Sequence, residues 1–171
     1  MHASFLAIVL AASSSIYQLP VTLRTSQASN ARLDVFAGHK VLISMFYSAC
    51  AYACPTLIAN IKKIESALTP QERASLRVLM VSFDPERDTP ARLKQVAAEH
   101  HLDARWLLAS AADPRALAAV LGIQYRKISG GDFNHTSVVS LLDAKGVIKS
   151  KIDNLGDPID ALVAEIKSTA P

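Results

Sequence analysis

Residues 40–55, Lys-Val-Leu-Ile-Ser-Met-Phe-Tyr-Ser-Ala-Cys-Ala-Tyr-Ala-Cys-Pro, carry the transition that decides the fold. Lys40 to Tyr47 is an almost continuous apolar run bounded upstream by Gly38, the pattern of a strand buried on both faces. From Pro55 to Leu68 the apolar residues fall at Leu57, Ile58, Ile61, Ile64 and Leu68, which is helical spacing. Cys54 stands before a proline at the first helical position and is expected to be the N-cap. There the free backbone N–H groups and the helix dipole favour a thiolate, so a lowered thiol pKa is expected. Cys50 lies one loop-turn earlier, at the strand exit, so both sulfurs can face one pocket.

Working outward, Tyr17 to Leu23 and Leu33 to Phe36 read as short strands around a polar turn, Thr25 to Asn30. Thr69-Pro70 ends the helix, and Arg77 to Phe83 is the next buried strand. Thr89 as N-cap and Pro90 at the first helical position start a helix that runs to about His100. Trp106 to Ala109 is a short strand, and Asp113-Pro114 opens a helix ending near Gly122. Gln124 to Ile128 is a strand before a loop, Ser129 to Asn134. Ser137 to Leu142 and Val147 to Ile152 form a hairpin through Asp143-Ala144-Lys145-Gly146. Pro158 to Lys167 is a final amphipathic helix. The order predicts an α/β fold with a mixed central sheet flanked by helices. The cysteine pair at the end of the first long strand, the closing hairpin and the last helix predict a thioredoxin-like architecture with extra N-terminal strands.

At 171 residues the chain fits one domain, expected over residues 15–171, large enough to bury a core without staples. Half of it is hydrophobic and 19% is charged, which excludes a disordered chain. The net charge of +3 is spread out, with no Lys/Arg run to track phosphates, so nucleic acid is not an expected partner. Phe5 to Ala12 is apolar and is followed by Ser13-Ser14-Ser15, like the core and cleavage zone of a secretory signal, although no basic residue precedes it. Residues 1–14 are therefore expected to be an export segment, too short to span a bilayer, and the setting periplasmic.

The two cysteines, Cys50 and Cys54, are the only ones in the chain. A domain of this size does not need them as a staple, so they point to metal or redox chemistry. Dithiol oxidoreductases usually leave two residues between their cysteines. The three here still permit a disulfide and give a bite suited to a soft metal. His135 stands just before the Ser137 to Leu142 strand. In a thioredoxin fold a cis-proline usually occupies that place beside the redox helix. Two thiolates and an imidazole would make a donor set suited to Cu(I) and tolerable for Cu(II).

Other polar groups read as structural. His100-His101 closes a helix, and adjacent residues do not share a helix face, so they make a poor chelate. Met45 and Met80 fall in buried strands. Asp84, Glu86, Arg87 and Asp88 lie in a structured loop where the charges pair internally.

Three segments together resemble the SCO/SenC family of copper-binding proteins involved in cytochrome c oxidase assembly. Cys50-Ala51-Tyr52-Ala53-Cys54-Pro55 looks like the family's CxxxCP, Val81-Ser82-Phe83-Asp84-Pro85-Glu86-Arg87-Asp88-Thr89-Pro90 is similar to its DPERDTP loop, and Asp132-Phe133-Asn134-His135-Thr136 is similar to its DHT segment. The resemblance runs from about Leu19 to the C-terminal helix. It implies that Cys50, Cys54 and His135 are the copper ligands. It also implies a recipient, the oxidase subunit carrying the binuclear copper centre or another copper or thiol protein, and a membrane-proximal setting. Two departures stand out. Tyr52 and Asn134 occupy places where relatives often carry acidic residues, and a less anionic pocket weakens Cu(II) more than Cu(I).

The leading expectation is a metallochaperone without substrate turnover. The alternative is a thiol-disulfide oxidoreductase with Cys50 and Cys54 as its redox pair. A copper or redox sensor would need a partner that no motif announces.

Overall fold

The computed structural model describes residues 14–50 and 53–168. The expected export segment lies outside the described residues except for Ser14. Two short strands, β1 (Thr22–Thr25) and β2 (Asn30–Arg32), pair antiparallel around the polar turn. The apolar run becomes β3 (Lys40–Phe46), with six of its seven residues buried. Its side chains alternate between two cores. Val41, Ile43 and Met45 pack on one face of the sheet, and Leu42 and Phe46 on the other, as the two-residue period of a strand requires.

Both expected N-terminal strands are displaced. Ile16–Gln18 forms a turn of 3-10 helix, capped by the Ser15 side chain, which accepts from the Tyr17 amide. Pro20 cannot donate to a ladder, so pairing begins only at Thr22. Leu33–Phe36 is a second 3-10 turn rather than a strand. Leu33 and Phe36 are buried while the two residues between them are exposed, a spacing of three that belongs to a helical turn.

After β3 come α1 (Ala53–Ser66), α2 (Pro70–Ser75) and β4 (Leu76–Ser82), the last parallel to β3. Thr69-Pro70, expected only to end a helix, also starts α2. Thr69 accepts from the Glu72 amide while the Glu72 carboxylate reaches back to the Thr69 amide, a full capping box. Next are α3 (Pro90–Glu99), with Thr89 as its N-cap, and β5 (Trp106–Ala111), parallel to β4. The helix α4 (Arg115–Leu121) ends on Gly122 in the left-handed region, φ +74°.

The expected loop after residue 128 ends in strand, at Phe133 and Asn134. β6 (Tyr125–Lys127) and β7 (Phe133–His135) make a separate antiparallel hairpin around Gly130 and Gly131. β8 (Val139–Leu142) and β9 (Ile148–Ile152) form the expected closing hairpin, and α5 (Asp160–Ser168) ends the fold. The main sheet runs β2-β1-β5-β4-β3-β8-β9, so the two longest strands lie near its centre. The helices α1, α3 and α5 cover one face, and α4 with the N-terminal turns covers the other. Met45 and Met80 are core residues, as expected. The thioredoxin-like mixed sheet brings the carboxyl ends of β3 and β4 side by side, joined by the Phe83 amide donating to the Phe46 carbonyl.

Candidate metal centre

The site grows from the end of β3. Ser48 follows it, and the Ser48 amide donates to Asp88 Oδ2 at 3.0 Å. Asp88 is fully buried and the same oxygen also accepts from the Ser82 hydroxyl. A buried carboxylate holding two donors fixes the chain direction into the cysteines. Arg92 on α3 adds a bond from Nε to Ser48 Oγ at 3.2 Å.

Cys50 is half-buried and packs at the edge of both cores. Cys54 is 5% exposed, and its thiol donates to the Tyr47 carbonyl at 3.1 Å. No disulfide joins them. The helix begins at Ala53, so Cys54 lies inside its first turn rather than at the N-cap. Proline needs no amide partner there, so Pro55 does not mark the first helical residue. The expected fall in the Cys54 pKa is also not met. Burial pushes this thiol up, and the neighbouring Cys50 sulfur adds to the rise. Desolvation of a thiolate outweighs the helix terminus here.

His135 arrives from 85 residues away at the end of β7, opposite Tyr125. Its Nδ1 donates to the Thr136 carbonyl at 3.1 Å, which leaves the Nε2 lone pair pointing out. Nε2 lies 3.9 Å from Cys50 Sγ. The ring stands edge-on to Tyr47, centroids 5.6 Å apart at 86°, and 5.3 Å from Phe83. Phe133 packs on both Tyr47 and Phe83, and Tyr125 stacks on Phe83 at 4.8 Å. Burial raises the Tyr47 hydroxyl pKa, with Cys50 and Asp132 adding to it and a backbone bond to Phe133 opposing.

Of the loop charges only Arg87 and Asp84 pair internally; Glu86 pairs with Lys127 on β6, and Asp88 turns inward to Ser82 and Ser48. Arg87 Nε donates to the buried Asp84 carboxylate, and Nη2 donates to the Gly131 carbonyl at 2.5 Å. The cysteines also line a cleft of about 180 Å³ between α1 and α3, to which His135 does not contribute.

Of the three expected ligands, His135 Nε2 thus meets Cys50 Sγ, and Cys54 lies beside Cys50. Among the described residues no three His, Cys, Asp or Glu side chains already close around one point. Cys54 is turned to a carbonyl. The Cys50–His135 gap nevertheless fits a metal. With bonds of about 2.3 Å to sulfur and about 2.0 Å to nitrogen, as for zinc, an S–M–N angle near trigonal spans about 3.7 Å and a linear one about 4.3 Å. The observed 3.9 Å falls between these limits. A metal held by both sulfurs would require both thiols to lose their protons and Cys54 to leave the Tyr47 carbonyl.

Inspection of the sequence misses the aromatic box and the hairpin that carries the histidine. Tyr47 and Phe83 pack on the His135 ring and Phe133 and Tyr125 pack on those two, but the four come from segments far apart in the chain. Gly130-Gly131 between two short runs containing Tyr125 and Phe133 is the one local signal for that hairpin.

The fold and site define a thioredoxin-like protein in which a thiol pair at the end of a central strand faces an imidazole brought in by a later hairpin. The chain belongs to the SCO1/SenC family, whose model matches residues 13–170. It is 29% identical over 83 residues to the SCO1 protein homolog of Bacillus subtilis, which covers 48% of this chain and 42% of that protein. The chain spans 42–60% of the length of the curated relatives it matches first. Among solved structures it is similar to Bradyrhizobium japonicum ScoI with copper bound, at 26% identity and a TM-score of 0.69, covering 87% of this chain and 96% of that one. It is also similar in fold to BsSco, described as a member of the Sco family of cytochrome c oxidase assembly proteins with a disulfide switch. There the identity is 23% and the TM-score 0.72, over 86% of this chain and 89% of that one.

Proposed function

We propose that this protein is a copper metallochaperone that holds one copper ion through Cys50, Cys54 and His135 and hands it to the binuclear copper centre of cytochrome c oxidase. The observation that carries the reading is the 3.9 Å approach of His135 Nε2 to Cys50 Sγ across 85 residues of sequence, with Cys54 beside Cys50. Similarity to ScoI with copper bound supports copper as the cargo. Each thiol gives up a proton to the solvent as the metal replaces it, so binding tightens as pH rises. The bond from His135 Nδ1 to the Thr136 carbonyl keeps the Nε2 lone pair free, the outer-shell arrangement common to imidazole ligands. Two thiolates and a neutral imidazole leave a Cu(I) site with one net negative charge and a Cu(II) site neutral. Asn134, beside the ligand, adds no carboxylate, which supports a preference for Cu(I). The apolar Phe5–Ala12 run supports an exported setting.

In a second reading the dithiol reduces the recipient's cysteines before loading. The adjacent cysteine pair, reduced here, supports it, as does the disulfide switch described for BsSco. The exchange is balanced: the recipient's disulfide becomes two thiols while Cys50 and Cys54 form a disulfide. Competition for Cu(I) against a chelator separates the readings. We expect His135→Ala to weaken Cu(I) binding at least about tenfold while leaving dithiol exchange intact. Equal Cu(I) affinity in wild type and His135→Ala would defeat the three-ligand account.

A further inference from the structure

The hairpin that carries His135 shares no ladder with the main sheet. A lone two-stranded hairpin is marginal in water, so side chains must hold it in place. The aromatic contacts supply part of that attachment but little direction. The Arg87 side chain ties the hairpin tip to the body of the protein, beside the bond between the Tyr47 hydroxyl and the Phe133 backbone. We propose that Arg87 is a positioning residue for His135, latching the β6–β7 hairpin to the loop after β4 so that the imidazole is presented to Cys50.

The anchored end of the latch is Asp84, only 3% exposed. Its amide donates to Ser82 Oγ at 3.0 Å, and its carbonyl accepts from the Arg87 and Asp88 amides. The turn is therefore closed on itself, and its carboxylate has a fixed position. Arg87 Nε holds that carboxylate while Nη2 reaches the Gly131 carbonyl at the hairpin tip. The guanidinium also lies over two rings of the box, 5.7 Å from the Tyr47 centroid and 5.8 Å from Phe133. One planar group thus touches the anchor, the tip, the strand end before Cys50 and the residue two before His135.

The tip is shaped to receive it. Gly130 and Gly131 both have positive φ, +86° and +85°, and this tight turn aims the Gly131 carbonyl at the arginine. On the same edge Lys127 Nζ lies 3.5 Å from Glu86, an exposed pair that adds little. A lysine at position 87 could stay paired with Asp84, but as a point charge it could not also bridge to the tip and stack on two rings.

The proposal rests on His135 being a copper ligand, so the test includes a readout in the metal-free protein. Arg87→Lys is the informative variant, because it keeps a cation beside the buried Asp84 and spares the fold. We expect amides of β6 and β7 in the reduced, metal-free variant to exchange with deuterium at least about tenfold faster than in wild type, while those of β3 and β4 do not change. We expect the dissociation constant for Cu(I), measured by chelator competition, to rise about ten- to a hundred-fold, the usual range for outer-shell partners. Adding Arg87→Lys to His135→Ala should weaken binding no further. Unchanged hairpin exchange in Arg87→Lys would overturn the latch. So would an equal loss of affinity with and without His135, which would mean general damage to the site. If wild type bound no copper, the metal reading would fail, and the exchange measurement alone would still decide whether Arg87 holds the hairpin.

Discussion

Cys54 places a thiol where two effects compete, the positive end of a helix and a nearly dry surround. Burial prevails: the thiol is 5% exposed and its pKa rises. At neutral pH Cys54 therefore stays protonated and hard to reach, while the half-buried Cys50 meets reagents first. Mass-resolved alkylation with iodoacetamide at pH 8 should modify Cys50 at least about tenfold faster than Cys54. Tyr17 gives a second test of burial. Its hydroxyl finds no hydrogen-bond partner among the described residues, and burial, helped by Asp143, pushes its pKa from 10.0 to about 12. A raised pKa means that folding favours the protonated form. That contribution is complete below pH 10 and is lost as pH rises towards 12. Tyr17→Phe should match or exceed wild-type stability in denaturant at pH 7 and should lose less stability between pH 10 and 12. The cysteines and the histidine are legible in sequence because short linear motifs carry them. Their electrostatics are not, because a pKa depends on burial that only the fold creates.

Element boundaries follow local chemistry where caps are present. Thr89-Pro90 starts α3 as expected, because the Thr89 side chain accepts from the Arg92 amide and proline needs no partner at the first turn. Boundaries fail where tertiary contacts decide. Leu33 and Phe36 look like a strand fragment until the core draws both into one helical turn. In sequence β7 looks like loop because its ladder to β6 spans a glycine turn and lacks a long apolar run. The closing turn between β8 and β9 offers a sharp test at this scale. Gly146 has φ +78°, its carbonyl accepts from the Ile16 amide at 2.9 Å, and an added Cβ would lie 2.6 Å from the Tyr17 ring. Gly146→Ala combines backbone strain with a collision against a buried ring. It should cost at least about 2 kcal/mol in chemical denaturation. The copper affinity of the variant should be unchanged while it remains folded, since this turn belongs to another edge of the molecule.

Across the whole molecule, the apolar run of residues 40–47 does two jobs. Its alternating side chains bind a core on each face of the sheet, and its end delivers Cys50 and Cys54 to the rim. The later hairpin then brings in an imidazole that no local pattern could place at 3.9 Å from Cys50. The thioredoxin-like layout was legible because strand and helix periods differ and the apolar runs are long. The aromatic box and the Arg87 bridge were not, because they are assembled from segments far apart in the chain. The central claim is that one copper ion is held by two thiolates and one imidazole from these three residues. Copper K-edge X-ray absorption of the reduced, Cu(I)-loaded protein tests it most directly, with His135→Ala measured alongside. The account predicts two sulfur and one nitrogen neighbours per copper in wild type, with the nitrogen lost in His135→Ala. A sulfur-only shell in wild type, or an identical shell in the two proteins, would contradict it.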